Sequence, residues 1–190
     1  MKYDLRDIGE AGLAVQHHLD SSQVRRLLVP VGVELTDGEE YEEYVEVAVR
    51  LTPASTSAGA TAIHVRGSIR GQFNVVCARC LGTAPVVVDE AELSLTFMPP
   101  SDKSPAEREE LNEDDLDTFV HDGVQVDLEP VIREQLVLAI PITPLCSEDC
   151  KGICGGCGVD LNRASCECKE ASSSATPWAA ALSRLKANNN

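Results

Sequence analysis

A chain of 190 residues fits one domain of ordinary size plus an appendage, and 43% hydrophobic residues suffice for a packed core, which excludes wholesale disorder. Aromatics make up only 4%, so the core is expected to be built from Val, Leu, Ile and Ala, and the net charge of −15 argues against broad, sequence-independent binding of RNA. Asp4, Arg6, Asp7 and Glu10 break any secretory signal, and no apolar run approaches the ~20 residues of a bilayer span, so a cytoplasmic protein is expected.

Residues 1–23 are weakly patterned, with at most a short helix around Leu5 and Ile8. Two-residue alternation then takes over. Val45, Val47, Val49 and Leu51 predict one strand, Ile63, Val65 and Ile69 a second, and Leu93, Leu95 and Phe97 a third, each with one apolar face. Thr36-Asp37-Gly38, Pro53 to Gly59 and Gly82 to Pro85 read as turns, so the strands are expected to pair antiparallel in a barrel-like or open sheet. Residues 99–122 read as a long acidic loop. Between Asp102 and Glu129 the acidic residues outnumber Lys103 and Arg108 severalfold, a surface that attracts basic proteins or simply aids solvation.

Asp127 and Pro130 then open a helix over 128–140. Leu128, Val131, Ile132, Leu136, Ala139 and Ile140 give it one apolar face, expected to cross the buried side of the sheet until Pro141 and Pro144 stop it. The fold class is therefore α+β: a β-rich domain over 1–145 packed by one main helix, a cysteine-rich segment over 146–168, and a linker with a short tail helix over 169–190. Trp178, Leu182 and Leu185 would share one face of that tail helix.

All eight cysteines fall in two groups. Cys77 and Cys80 close one strand and turn into the next, while Cys146, Cys150, Cys154, Cys157, Cys166 and Cys168 crowd together. A C-x2-C turn lets two thiolates reach one tetrahedral zinc ion, and Gly155, Gly156 and Gly158 leave room for backbone N–H groups to fold over the sulfurs. One or two zinc ions are expected. Cys154, Cys157, Cys166 and Cys168 make one candidate set, and Cys77, Cys80, Cys146 and Cys150 a second; Cys146 and Cys150 exchanging places with the later pair remains open. Structural disulfides would suit an exported chain. A redox C-x-x-C would need a helix after Cys77 and Cys80, where a strand is expected. The spacing matches neither ferredoxin pattern of iron–sulfur binding.

Taken in order, Cys77-x-Arg79-Cys80-Leu81, an acidic stretch, Asp127-Leu128-Glu129-Pro130-Val131, Pro141-x-x-Pro144-Leu145-Cys146, Cys150-Lys-Gly-Ile-Cys154-x-x-Cys157-Gly158-x-x-Leu161-Asn162 and the closing Pro177-Trp178-Ala179-Ala180 resemble the YceD-like family. These are the large ribosomal RNA subunit accumulation proteins of bacteria and plastids, and the cysteine-rich end is similar to one branch of them. The resemblance implies a part in accumulation of 23S ribosomal RNA, hence in large-subunit biogenesis. It also implies a link to a small basic protein of the large subunit.

The leading expectation is a non-catalytic assembly factor that binds ribosomal RNA, a basic ribosomal protein or both, with no membrane and no small-molecule substrate. Arg66 and Arg70 on one strand face, with Arg79 in the strand-end turn, form a candidate patch for phosphate contacts, although arginines on a solvated sheet face are common without a ligand. The alternative is a thiol redox protein or a metal-dependent RNA-processing enzyme. No catalytic residues suggest themselves: His17, His18, His64 and His121 lack ligand spacing to the cysteines, and no phosphate-binding glycine loop occurs. DNA reading by the cysteine segment ranks last, because Glu148, Asp149, Asp160 and Glu167 outnumber Lys151 and Arg163 there.

Overall fold

Long alternating stretches build a mostly antiparallel five-stranded sheet in the computed structural model, which describes residues 1–36, 42–56, 61–100 and 117–168. Strand β1 (Lys2–Asp4) pairs antiparallel with β7 (Gln125–Asp127) in a separate two-stranded ribbon. The main sheet has the order β2 (Leu13–Asp20), β3 (Tyr44–Ser55), β4 (Thr61–Val76), β5 (Thr83–Met98), β6 (Thr118–Val120). Within this order β2 and β6 are the edges, so the described strands form an open array.

One face of this sheet is the core. Val15, Leu19, Val45, Val47, Val49, Leu51, Ile63, Val65, Ile69, Phe73, Val86, Val88, Leu95 and Phe97 are all buried. Two helices cover them, where the sequence predicted one. Helix α1 (Ser21–Leu28) buries Val24, Leu27 and Leu28, and α2 (Glu129–Leu138) buries Val131, Ile132 and Leu136. Arg133 ties the two together by donating from Nε to the Leu27 carbonyl at 3.1 Å.

Four expectations shift. The weakly patterned start holds a 3-10 turn (Leu5–Asp7), then β2 and α1, which opens on a reciprocal cap between Asp20 and Gln23. Helix α2 spans less than 128–140, and Leu128 takes its cap position. Asp127 nonetheless accepts from the Glu129 N–H at 3.0 Å and from the Met1 ammonium at 3.1 Å. Burial pushes its carboxyl up, but these donors outweigh it and hold it below the usual range. Within the acidic stretch 99–122, residues 118–120 form β6, which runs parallel to β5 and not antiparallel. Residues 101–116 lie outside the described residues, as do residues 169–190, where the tail helix is expected.

Pro53 and Pro85, expected in turns, sit inside β3 and β5. Both pair with β4, as Pro53 with Ile63 and Pro85 with Asn74. On the other side, β2 reaches only as far as Leu51 and β6 only Thr96 to Met98. Each proline therefore sits where its strand has a partner on one side only, the kind of local edge at which a strand tolerates a missing N–H.

Candidate metal centres

The eight thiols gather in two groups of four, Cys77, Cys80, Cys146 and Cys150, then Cys154, Cys157, Cys166 and Cys168, with the sulfurs of each group within 4.8 Å of one another. The exchange of Cys146 and Cys150 with the later pair is not the arrangement found.

The first group joins elements far apart in sequence. Cys77 directly follows β4, and its N–H donates to Gly82 O at 2.8 Å while Leu81 N donates to Cys77 O at 3.0 Å, closing a tight turn that aims Cys77 and Cys80 the same way. The segment after α2 docks there, since Ala78 N donates to Pro144 O at 2.9 Å. Cys146 and Cys150 then reach the turn. Sγ of Cys80 stands 3.6 Å from that of Cys146, and Sγ of Cys77 stands 3.8 Å from that of Cys150. A disulfide needs about 2.0 Å. Four sulfurs bonded to one zinc at about 2.3 Å stand about 3.8 Å apart along the tetrahedron edges. The spacing fits a metal ion. Cys77, Cys80 and Cys150 are buried and Cys146 is half-buried.

Backbone donors surround these sulfurs, as thiolate ligands require. Arg79 N and Cys146 N point at Cys77 Sγ from 3.5 and 3.4 Å. Burial pushes the Cys77 thiol up, but N–H groups of Cys80, Arg79 and Cys146 pull it further down, to about 6. Burial and the neighbouring cysteines push Cys146 up to about 12. Four such thiols crowd too much negative charge to ionise together unaided, and a divalent cation is the natural counter-charge.

The second group is more open, with Cys157 and Cys168 exposed. Gly156 N donates to Cys154 Sγ at 3.3 Å, and together with the Cys157 N–H it holds the Cys154 thiol at about 6. Hydrogen bonds to Cys157 and its charge push Cys168 up to about 12. Cys154 N to Val159 O and Gly158 N to Cys154 O, both 2.8 Å, shape the knuckle.

The two groups are stitched together. Gly152, at φ +75°, lets the chain pass against Arg79, and Ile153 N donates to Arg79 O at 3.1 Å. Asn162 spans the gap. Its Nδ2 donates to Cys150 Sγ at 3.4 Å and to Asp160 Oδ1 at 2.7 Å, while its Oδ1 accepts from Lys151 N at 2.8 Å. Spacing alone gave this residue no role; its only sequence signal was its place after the cysteine knuckle.

The three candidate arginines do not share one surface environment. Arg79 is tied to the first thiol group, donating from its guanidinium to Cys150 O at 3.0 Å. Arg70 pairs with Asp89 at 2.9 Å. Arg66 stands on the outer sheet face opposite Arg50, a neighbour that periodicity had not singled out. Most of the acidic segment falls outside the described residues. No helix among the described residues is long and apolar enough to cross a membrane.

A family model described as large ribosomal RNA subunit accumulation protein YceD matches residues 65–186. The chain is 27% identical over 129 residues to a large ribosomal RNA subunit accumulation protein YCED homolog 1, chloroplastic, from Zea mays, covering 56% of this chain and 44% of that protein. It is 34% identical over 97 residues to an uncharacterized protein of Mycobacterium tuberculosis, covering 51% and 44%. A YCED homolog 1 from Arabidopsis thaliana is 41% identical over 44 residues, 23% of this chain and 14% of that one. The chain thus spans less than half the length of these curated relatives. No solved structure gives a significant match.

Proposed function

This chain belongs to the YceD family of large ribosomal RNA subunit accumulation proteins, and on that premise we propose that it is a cytoplasmic, non-catalytic factor in large ribosomal subunit biogenesis. It serves accumulation of 23S ribosomal RNA by holding that RNA, a small basic ribosomal protein, or both. The observation that carries this reading is the family match over residues 65–186, which takes in both cysteine groups.

The proposed cofactor is zinc, one ion in each group, with Cys77, Cys80, Cys146 and Cys150 as the inner ligands and Cys154, Cys157, Cys166 and Cys168 as the outer ones. An all-sulfur donor set with its four sulfurs within 4.8 Å of one another suits zinc, which would hold the 146–168 segment against the end of the sheet. Closed four-thiolate sites leave no open position for a reacting water, which supports a structural role over a catalytic one.

For direct contact with RNA, the proposed surface is the outer sheet face, where Arg66 and Arg50 stand side by side. Arg70 is paired with Asp89 and Arg79 with the Cys150 carbonyl, while Arg50 gives one guanidinium N–H to the Ala11 carbonyl at 3.2 Å and keeps its others for a ligand. Tagged protein isolated from cells under reducing conditions is expected to bring down large-subunit ribosomal RNA or a basic large-subunit protein. The pair Arg50→Glu and Arg66→Glu is expected to lower RNA recovery severalfold if RNA is touched directly. Recovery of no ribosomal component would overturn the reading.

A further inference from the structure

The rim of the buried thiol group is apolar and open. Leu81 is 63% exposed, and Ile142 is fully exposed. With Val33, Val75, Ile140 and Pro144 they border a groove of about 350 Å³, whose described lining has Glu34 as its one acidic or basic residue and Cys77 of the first thiol group on its wall. Leu81 is moreover the one described non-glycine residue with positive φ, at +60°. A leucine there gives up the backbone ease that Gly or Asn would bring and also leaves its side chain in water. Both costs are offset if another segment covers it.

We propose that this groove is the docking site of the same chain's carboxy-terminal segment, through Trp178, Leu182 and Leu185. The proposal stands apart from the ribosomal reading. The sequence puts these three residues at i, i+4 and i+7, the spacing of one helical face. A helix of about ten residues is marginal alone in water and needs a surface to pack on.

The exit point of the chain is close to the groove. Cys168, the last described residue, has its sulfur within 4.8 Å of that of Cys154. Ile153, next to Cys154, is hydrogen-bonded to Arg79, two residues before Leu81. Residues 169–175 can span up to ~25 Å when extended, enough to carry Thr176 to the groove. A tether that short gives the segment a millimolar-scale effective concentration there, which a second copy of the chain or a separate partner would have to exceed.

Trp178 is the only tryptophan in the chain, so its fluorescence reports on the segment without labelling. In the full-length, reduced, metal-loaded protein, the indole is expected to emit blue-shifted and to resist acrylamide quenching, unchanged by hundredfold dilution. Leu81→Asn together with Ile142→Asn is expected to shift the emission red and raise quenching severalfold, because asparagine accepts the left-handed backbone but not the apolar contact. Trp178→Ala, which leaves the sheet domain untouched, is expected to speed amide exchange at residues 77–82 and 140–144. A solvated indole in the native chain would overturn the proposal. So would protection that is lost on dilution, which would mean a second copy, or Trp178→Ala leaving exchange at both segments unchanged.

Discussion

Changing Cys150 to serine is expected to lose one metal ion per chain and to destabilise the whole domain, whereas Cys157→Ser is expected to lose one ion with little effect on the sheet. The difference follows from position. Cys150 is buried and packs within the main core cluster, and its group ties the β4–β5 turn to residues 144–150. Removing one ligand strands three crowded sulfurs without their counter-charge. By analogy with breaking a buried charge pair, the loss is roughly 3–5 kcal/mol. For a chain of this size that is on the order of 10 °C in Tm. Cys157 is exposed in the outer knuckle, where water can take over the released thiols. Thermal unfolding followed by circular dichroism, with metal analysis of each variant, checks this. Equal melting temperatures for the two variants would contradict the assignment of the inner centre as the one that pins the fold.

Gly67→Val is expected to be among the most damaging single changes within the sheet, together with Gly71→Val, whose Cβ would meet the Tyr44 carbonyl oxygen equally closely. Gly67 lies mid-way along β4, between β3 and β5, and a Cβ built there meets the Ala48 carbonyl oxygen at 2.1 Å and Val49 Cα at 2.6 Å. Both obstacles are backbone of a central strand, so neither can rotate away. The site also adjoins the shift in β4–β5 register between Gly67 and Ile69, where β5 carries an extra residue around Ala91 and Glu92. A loss above ~4 kcal/mol is expected, large enough to unfold a domain of ordinary stability. Gly9→Ala is the control: nothing stands within 4 Å of a Cβ there, and the change should stay within about 0.5 kcal/mol. Denaturant midpoints of Gly67→Ala and Gly9→Ala that coincide would show the β3–β4 approach to be wrong.

That bulge also explains what could be read from the sequence and what could not. In β5 the buried residues are Ala84, Val86 and Val88 before it and Leu93, Leu95 and Phe97 after it. The parity flips, so alternation reveals the second half and hides the first. Strand β3 has no such break and is plain in Val45 through Leu51. Strand β2 is obscured because half-buried His17, paired with Tyr3, stands where an apolar residue would continue the Val15–Leu19 face. Helix α1 did carry a signal, the Asp20-Ser-Ser-Gln23 cap followed by Val24, Leu27 and Leu28, in a stretch too short for helical periodicity to stand out.

For the candidate centres, cysteine spacing pointed to two sets of four, and those are the sets whose sulfurs lie together. Local spacing speaks for Cys154 and Cys157, which a single turn brings to one side. It says nothing about Cys77 meeting Cys150, because that contact depends on where α2 ends and how residues 140–146 cross the sheet end. The contacts that Asn162 and Arg79 make with the first thiol group were hidden for the same reason. Their partners, Cys150 Sγ and the Cys150 carbonyl, reach them only through the tertiary fold. Arg50 became visible beside Arg66 only once the β3–β4 register was fixed.

The proposal stands or falls on two four-thiolate groups, each around one zinc ion, holding residues 146–168 against the end of the sheet. Elemental analysis of protein purified under reducing conditions, without added metal, tests it most directly. Two zinc ions per chain are expected, both released when all eight thiols are titrated with a mercurial. Metal-free protein that is fully folded, with eight freely reactive thiols, would contradict the account.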